Sequence, residues 1–270
     1  MIILSRFRNP FFTFGQTNCP NMQNSTFLSS LSIHESWNAF LSNDIIDLIQ
    51  NIESSISMES ATPKKELVLR FLEMDLEKIP VVILGQDPYP QEGVATGRAF
   101  EVNGLNSWFD KFRNVSLKNI LRSIYKAYTA EELKYSEILK QLNEGDRLPM
   151  DGEFKVLPPN QLFRYWWEKE NVLLLNTAFT CEVGNPNSHT KIWSEFTQKL
   201  LTYIASKNKE AVWFLWGNNA QNIVANIQIE NKIETSHPMM CYQRENDILF
   251  GKINPFSETK TKVNWLGIEQ

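Results

Sequence analysis

The sequence predicts an α/β fold in three layers, α/β/α, around a central four-stranded parallel twisted sheet. Four short strand-like segments lie at 80–84, 172–175, 211–216 and 232–236. Longer segments with apolar residues at helical spacing run between them. Strands that alternate with helices pair in parallel, and the crossover helices cover both faces of the sheet. The run Val81-Val82-Ile83-Leu84 is apolar at every position, as a strand buried on both faces requires.

The elements follow in order. Residues 1–30 are rich in Asn, Ser, Thr and Phe without a period, and read as an irregular arm packed by Phe11, Phe12 and Phe14. From Trp37 to Ile56 the residues Phe40, Leu41, Ile45, Ile46, Leu48 and Ile49 recur at helical spacing. A second helix is expected over Lys64–Met74, with Pro63 near its first turn. After the strand at 80–84, a helix carries Leu117, Ile120, Leu121 and Ile124. Residues 129–160 are charged and end in Leu157-Pro158-Pro159-Asn160, and read as a helix and loop inserted on the surface. Helices at 161–169, 192–206 and 218–227 then lead into the three remaining strands. There is no internal repeat and no low-complexity tract, so residues 31–270 are expected to form one domain behind the arm.

The bulk numbers bound the function. A chain of 270 residues with 42% hydrophobic content can bury a substantial core. A net charge of −4 gives no support for broad nonspecific nucleic-acid binding. It leaves room for a local basic cleft, because binding depends on where charge lies. Cys19, Cys181 and Cys241 leave at least one thiol unpaired and lack metal-knuckle spacing. A reducing, intracellular setting without a zinc or iron–sulfur site is therefore expected. No apolar run approaches the roughly 18 residues that span a bilayer. Met1-Ile2-Ile3-Leu4 is too short for a secretory core before Arg6 and Arg8 break it.

The most informative segment is Gly85-Gln86-Asp87-Pro88-Tyr89-Pro90, a stiff polar turn at the end of the first strand. Gly85 permits a tight turn or a close backbone approach. Asp87 precedes proline, which keeps its backbone out of the helical region, and Pro88 and Pro90 stiffen the loop around Tyr89. Open α/β sheets bind ligands at such strand ends.

This segment resembles the water-activating motif of family 1 uracil-DNA glycosylases, GQDPYH. Val172-Leu173-Leu174-Leu175-Asn176-Thr177 is similar to that family's base-reading strand, and Asn187-Ser188-His189 with Trp193 to the segment that follows it. Phe214-Leu215-Trp216-Gly217 with Ala220-Gln221 resembles its next strand and Gly-Ser loop. Ser236-His237-Pro238 resembles the start of its HPSPLS motif. These matches fall in family order over roughly residues 60–265, and identify the chain as a divergent relative. The resemblance implies a monofunctional glycosylase that extrudes deoxyuridine from DNA, hydrolyses its N-glycosidic bond and leaves an abasic site. It implies no metal or organic cofactor, a monomer, and a DNA partner either single- or double-stranded.

The same resemblance assigns roles. Asp87 would orient the attacking water and favour an oxocarbenium-like sugar. His237 would donate, as a neutral imidazole, to uracil O2 as charge develops there. Phe100 would stack on the base, an interaction worth roughly 1–3 kcal/mol. Asn176 would read O4 and N3–H with one donor and one acceptor. Tyr89 would exclude a C5 methyl, and Gln86 would sit near O2 and the water. Ser116, Ser188 and the amides of Gly217, Asn218 and Asn219 would meet phosphates. Taken singly, each has a plainer reading: a core ring for Phe100, a strand-end cap for Asn176, a turn cap for Asp87, a structural histidine for His237.

The chain departs from the family pattern in three places. Pro90 stands where the motif has histidine, as in poxvirus-type glycosylases. The wedge reads His237-Pro238-Met239-Met240-Cys241-Tyr242, with Cys241 in register with the leucine that fills the vacated stack. Met240 or Tyr242 offers an alternative apolar wedge. The proline-rich loop is reduced to Asn114-Val115-Ser116-Leu117. Residues 129–160 are also longer than the family's connection, and suit a protein docking surface. Two further readings follow: a glycosylase for a modified pyrimidine, and a DNA-binding or replication-partner protein that keeps the fold.

Overall fold

The computed structural model describes residues 25–142 and 154–268. Four strands, β2 (Val81–Gly85), β3 (Leu173–Asn176), β5 (Val212–Trp216) and β6 (Asn231–Thr235), form one sheet in the order β3-β2-β5-β6. All three pairings are parallel. A separate two-stranded ribbon joins β1 (Ala61–Thr62) to β4 (Cys181–Glu182). The helices are α1 (Asn43–Ser54), α2 (Val115–Thr129), α3 (Tyr135–Gln141) and α4 (Pro159–Glu168), then α5 (Thr190–Lys207), α6 (Gly217–Ile223) and α7 (Pro255–Thr259). The expected α/β architecture with a four-stranded parallel sheet is present, and helices flank the sheet.

β2 and β3 are apolar up to their last residue because neighbours and flanking elements cover them; Val81 to Leu84 and Leu173 to Leu175 are at most 2% exposed. β6 is an edge strand and reads differently, with Asn231, Lys232 and Glu234 exposed. Charges on an edge discourage pairing with a second chain. Two aromatic clusters fill the core. Trp37, Phe40, Phe71, Phe179, Trp193, Phe196 and Tyr203 interlock around α5. Trp166 of α4, Phe214 and Trp216 of β5, Phe256 of α7 and Trp265 form the other. A buried aromatic removes on the order of 150–250 Å² from water.

The sequence expectations need five corrections. The segment 64–74 is not an α-helix but a chain of 3-10 turns, Lys65–Leu67 and Arg70–Glu73, followed by Leu76–Lys78. Val68, Leu69, Phe71, Leu72, Met74 and Leu76 are all at most 4% exposed. No single helical stripe could bury so many sides at once, so the backbone turns instead. The first helix starts at Asn43 rather than Trp37. Trp37 lies in a separate 3-10 turn, and its indole Nε1 donates to Met74 O at 2.8 Å. α6 ends at Ile223 rather than 227, giving way to isolated turns. The expected surface insertion is partly core: Ile138 of α3 is fully buried, and Phe154 packs edge-on against Tyr125 of α2. Its residues 143–153 lie outside the described residues, as do Phe11, Phe12 and Phe14. The end of the expected arm is not peripheral, since Phe27 is fully buried and stacks on Trp193.

Candidate active site

Parallel pairing puts the carboxyl ends of all four strands on one edge of the sheet. Gln86 and Asp87 follow β2, Asn176 ends β3, Gly217 follows β5, and His237 lies two residues beyond β6. A cleft of about 370 Å³ opens there, lined by Gly85, Gln86, Trp216, Gly217, His237 and Arg244 among others.

The Gly85–Pro90 turn is fastened at several points. Thr177 N donates to Gly85 O at 3.0 Å, while Ala178 N and Thr177 Oγ1 both donate to Gln86 O at 2.9 Å. Gly184 N donates to Pro90 O at 2.8 Å. Gly85 pairs in register with Asn176, and a methyl group on it would strike Asn176 Oδ1 and lie 2.8 Å from Ala99 Cβ. This close approach is why glycine stands here. It also confines the Asn176 amide, which is 6% exposed.

The Asp87 carboxylate accepts a hydrogen bond from Asn187 N at 2.7 Å. Burial pushes its pKa up, and the Asn187 N–H pulls it back. Asn187 occupies the left-handed region, at φ 66°, and its side-chain oxygen accepts from Gln86 Nε2. Gln86 Oε1 in turn accepts from Asn219 Nδ2 at 2.6 Å, so the Gln86 amide is clamped between the Asn187 loop and the first turn of α6.

His237 is set for one tautomer. Met239 N donates to its Nδ1 at 3.2 Å, which requires a lone pair on Nδ1 and leaves the neutral ring's proton on Nε2. Burial lowers the ring's pKa and favours this neutral form. Gly217 lets the His237 backbone pass close by: at φ 80°, a Cβ there would sit 3.0 Å from His237 Cβ and 3.4 Å from its backbone N. Phe100 lies 5.9 Å from the His237 ring centroid and edge-on to Trp216 at 5.2 Å. Tyr89 is half-buried; burial raises its pKa, and the neighbouring Asn114 side chain offsets part of that rise.

The loop after His237 is carried by α2, where Asn119 Nδ2 donates to Pro238 O at 2.7 Å. Ser116 is one turn earlier on that helix and half-buried. Met239, Met240 and Tyr242 are 53%, 38% and 59% exposed, whereas Cys241 packs inward with Sγ toward Pro238 O. The register-matched position therefore does not project, and its neighbours do. Ser188 Oγ accepts from Glu182 N at 2.8 Å, which leaves its proton free to donate outward. Gly217 and Asn218 open α6 at the cleft. Among the described residues, no group of three His, Cys, Asp or Glu side chains converges as a metal site would need.

Sequence reading passed over three contributors. Asn187 appeared within a motif, but its hold on Asp87 is a backbone contact with no side-chain signature. Asn114, in the reduced loop, neighbours Tyr89, a proximity that chain spacing does not mark. Arg244 lines the cleft and lies over the Tyr242 ring at 5.8 Å, yet nothing in its neighbourhood marks it as a site cation.

Comparison with known proteins identifies the family and the fold. The profile of the uracil DNA glycosylase superfamily matches residues 73–258, from the turns before β2 to α7. The uracil-DNA glycosylase of Borrelia turicatae is 30% identical over 241 residues, covering 85% of this chain and 92% of its own. That of Mesomycoplasma hyopneumoniae is 27% identical, covering 90% and 99%. The crystal structure of wild-type UNG from Nitratifractor salsuginis shares the fold with a TM-score of 0.61 at 19% identity, covering 93% of this chain and 97% of its own. The match spans every strand of the sheet and the loops at its carboxyl edge, and on that ground the chain belongs to the uracil DNA glycosylase superfamily.

Proposed function

We propose that this protein is a uracil-DNA glycosylase that hydrolyses the N-glycosidic bond of an extruded deoxyuridine, releasing uracil and leaving an abasic site for base excision repair. The observation that carries the reading is that Asp87, Asn176 and His237 lie at strand ends on one sheet edge, with Phe100 5.9 Å from the His237 ring, beside a cleft of about 370 Å³ lined by Gln86 and His237.

The base would stack on Phe100 and present its O4 and N3–H edge to the Asn176 amide, which offers an acceptor and a donor. Cytosine presents the opposite pattern, and each mismatched buried group costs on the order of 1–3 kcal/mol. Tyr89, half-buried at the end of the Gly85–Pro90 turn, would block a methyl at C5. As the glycosidic bond lengthens, negative charge would build on O2 opposite the Nε2–H of His237. A neutral donor in a dry site stabilises that charge without transferring its proton. Asp87, ionised and aimed by Asn187, would hold water under C1′ and stabilise the sugar cation. Ser116, Ser188, Gly217 and Asn218 would hold flanking phosphates, and Met239, Met240 or Tyr242 would fill the vacated stack. Every role falls to one chain, consistent with a monomer working on genomic DNA inside the cell.

The test is uracil release from a single-stranded uracil-containing oligonucleotide, compared with the Asp87→Asn variant. Loss of a preorganised charge at the reacting centre should slow release by about a hundred- to a thousandfold. Equal product from both proteins, or none from the wild type, would sink the assignment.

A further inference from the structure

Phe100 sits at φ 65°, in the left-handed region. A bulky residue persists there only where its surroundings over-determine it. Those surroundings are an ion pair that brackets it in sequence. Arg98 Nη1 donates to both Glu101 carboxylate oxygens, at 3.1 and 3.0 Å. Both side chains are 7% exposed. The Arg98 guanidinium lies over the Trp167 ring of α4, 5.0 Å from its centroid. Between them, Ala99 N donates to Leu174 O of β3 at 3.2 Å. Residues 98–101 are thus closed into a tight loop with anchors on a helix and a strand. The Phe100 ring leaves that loop toward Trp216 and His237.

A buried ion pair is weak evidence for a stability role, because apolar replacement is often neutral or stabilising. What this pair does set is the separation of residues 98 and 101, and with it the backbone between them. Arg70 adds a constraint: its guanidinium lies over the same ring at 5.7 Å and its Nη1 donates to Thr96 O at 3.1 Å.

We propose that the Arg98–Glu101 pair, seated on Trp167, is a positioning device that locks Phe100 in its left-handed conformation and presents its ring before the base arrives. The proposal rests on the uracil-release reading and assigns that site two residues beyond those above. A ring ordered in advance loses less freedom on binding, so the device acts on affinity for the extruded base and not on bond cleavage.

The experiment uses the full chain carrying Arg98→Leu with Glu101→Leu, which removes both charges of the pair together. On a single-stranded uracil oligonucleotide, KM should rise about tenfold with kcat within about twofold. Placed on Phe100→Ala, the same substitutions should add less than about twofold, because the ring they position is gone. Equal losses in both backgrounds indicate general destabilisation and overturn the proposal. A crystal structure of the double variant reads the device without turnover. Phe100 released from the left-handed region supports it, and Phe100 unmoved against Trp216 and His237 overturns it, whether or not the wild type releases uracil. A wild type that releases no uracil, with Phe100 unlocked in the variant, removes the activity and leaves the device standing.

Discussion

Replacing Gly85 by alanine tests the heart of the pocket with one methyl group. The added Cβ would be wedged between Asn176 Oδ1 and Ala99 Cβ, the latter 2.8 Å away. Neither side can retreat easily. Gly85 and Asn176 are register partners in the central sheet, and Ala99 is tied to β3 through Leu174 O. The softest movable part is the Asn176 amide, so it should rotate off the base edge. One buried base group left unpaired costs about 1–3 kcal/mol, which at 1.4 kcal/mol per factor of ten lowers kcat/KM for uracil about 5- to 150-fold. Overpacking should also cost roughly 1–3 kcal/mol of stability, lowering the melting temperature by about 2–4 °C per kcal/mol. Gly104→Ala is the control. Its φ of 77° strains an alanine by roughly 1–2 kcal/mol, but a Cβ there meets nothing within 4 Å. Thermal unfolding and uracil release measured on both variants separate the two costs. Gly104→Ala should lose stability and keep its kcat/KM; Gly85→Ala should lose both. Wild-type kcat/KM in Gly85→Ala would refute the claim that this glycine sets the base-reading amide.

Three other outcomes are expected. Tyr89→Ala should admit thymine, since its ring is the proposed barrier at C5; a variant active on uracil that never releases thymine contradicts that role. The pH profile of kcat/KM should show one acid limb between the ordinary carboxylate and imidazole ranges. Burial raises the Asp87 pKa, so the carboxyl ionises at higher pH than a free one, and burial lowers the His237 pKa, so the imidazole stays neutral to lower pH than a free one. A limb centred on the ordinary imidazole value would mean His237 titrates as though exposed. For the wedge, Cys241→Ser should leave duplex activity within about twofold, while Tyr242→Ala with Met239→Ala should lose roughly tenfold on duplex and much less on single strands, because only a duplex has a stack to refill. Losses of the same size on both substrates would place those residues outside the wedge.

Much of this protein was legible without coordinates. The four strands, their parallel order and the polar turns at their ends are local patterns, and hydrophobic period and turn chemistry write those directly into neighbouring residues. Because parallel strands must end on one edge, Gln86, Asp87, Asn176 and His237 could be placed together from chain position alone. Tertiary structure decided what depends on distant partners. Segment 64–74 has helix-compatible residues but breaks into 3-10 turns, since its buried residues Val68, Leu69, Phe71, Leu72 and Met74 do not fall on one helical stripe. Cys241 matches the wedge in register yet turns inward, because Asn119 on α2 fixes the loop through Pro238. The tautomer of His237, the aim of Asp87 by a backbone amide of Asn187, and the Arg98–Glu101 lock on Phe100 are likewise invisible in one dimension. Each is a contact whose strength depends on burial and on angles that chain spacing does not record.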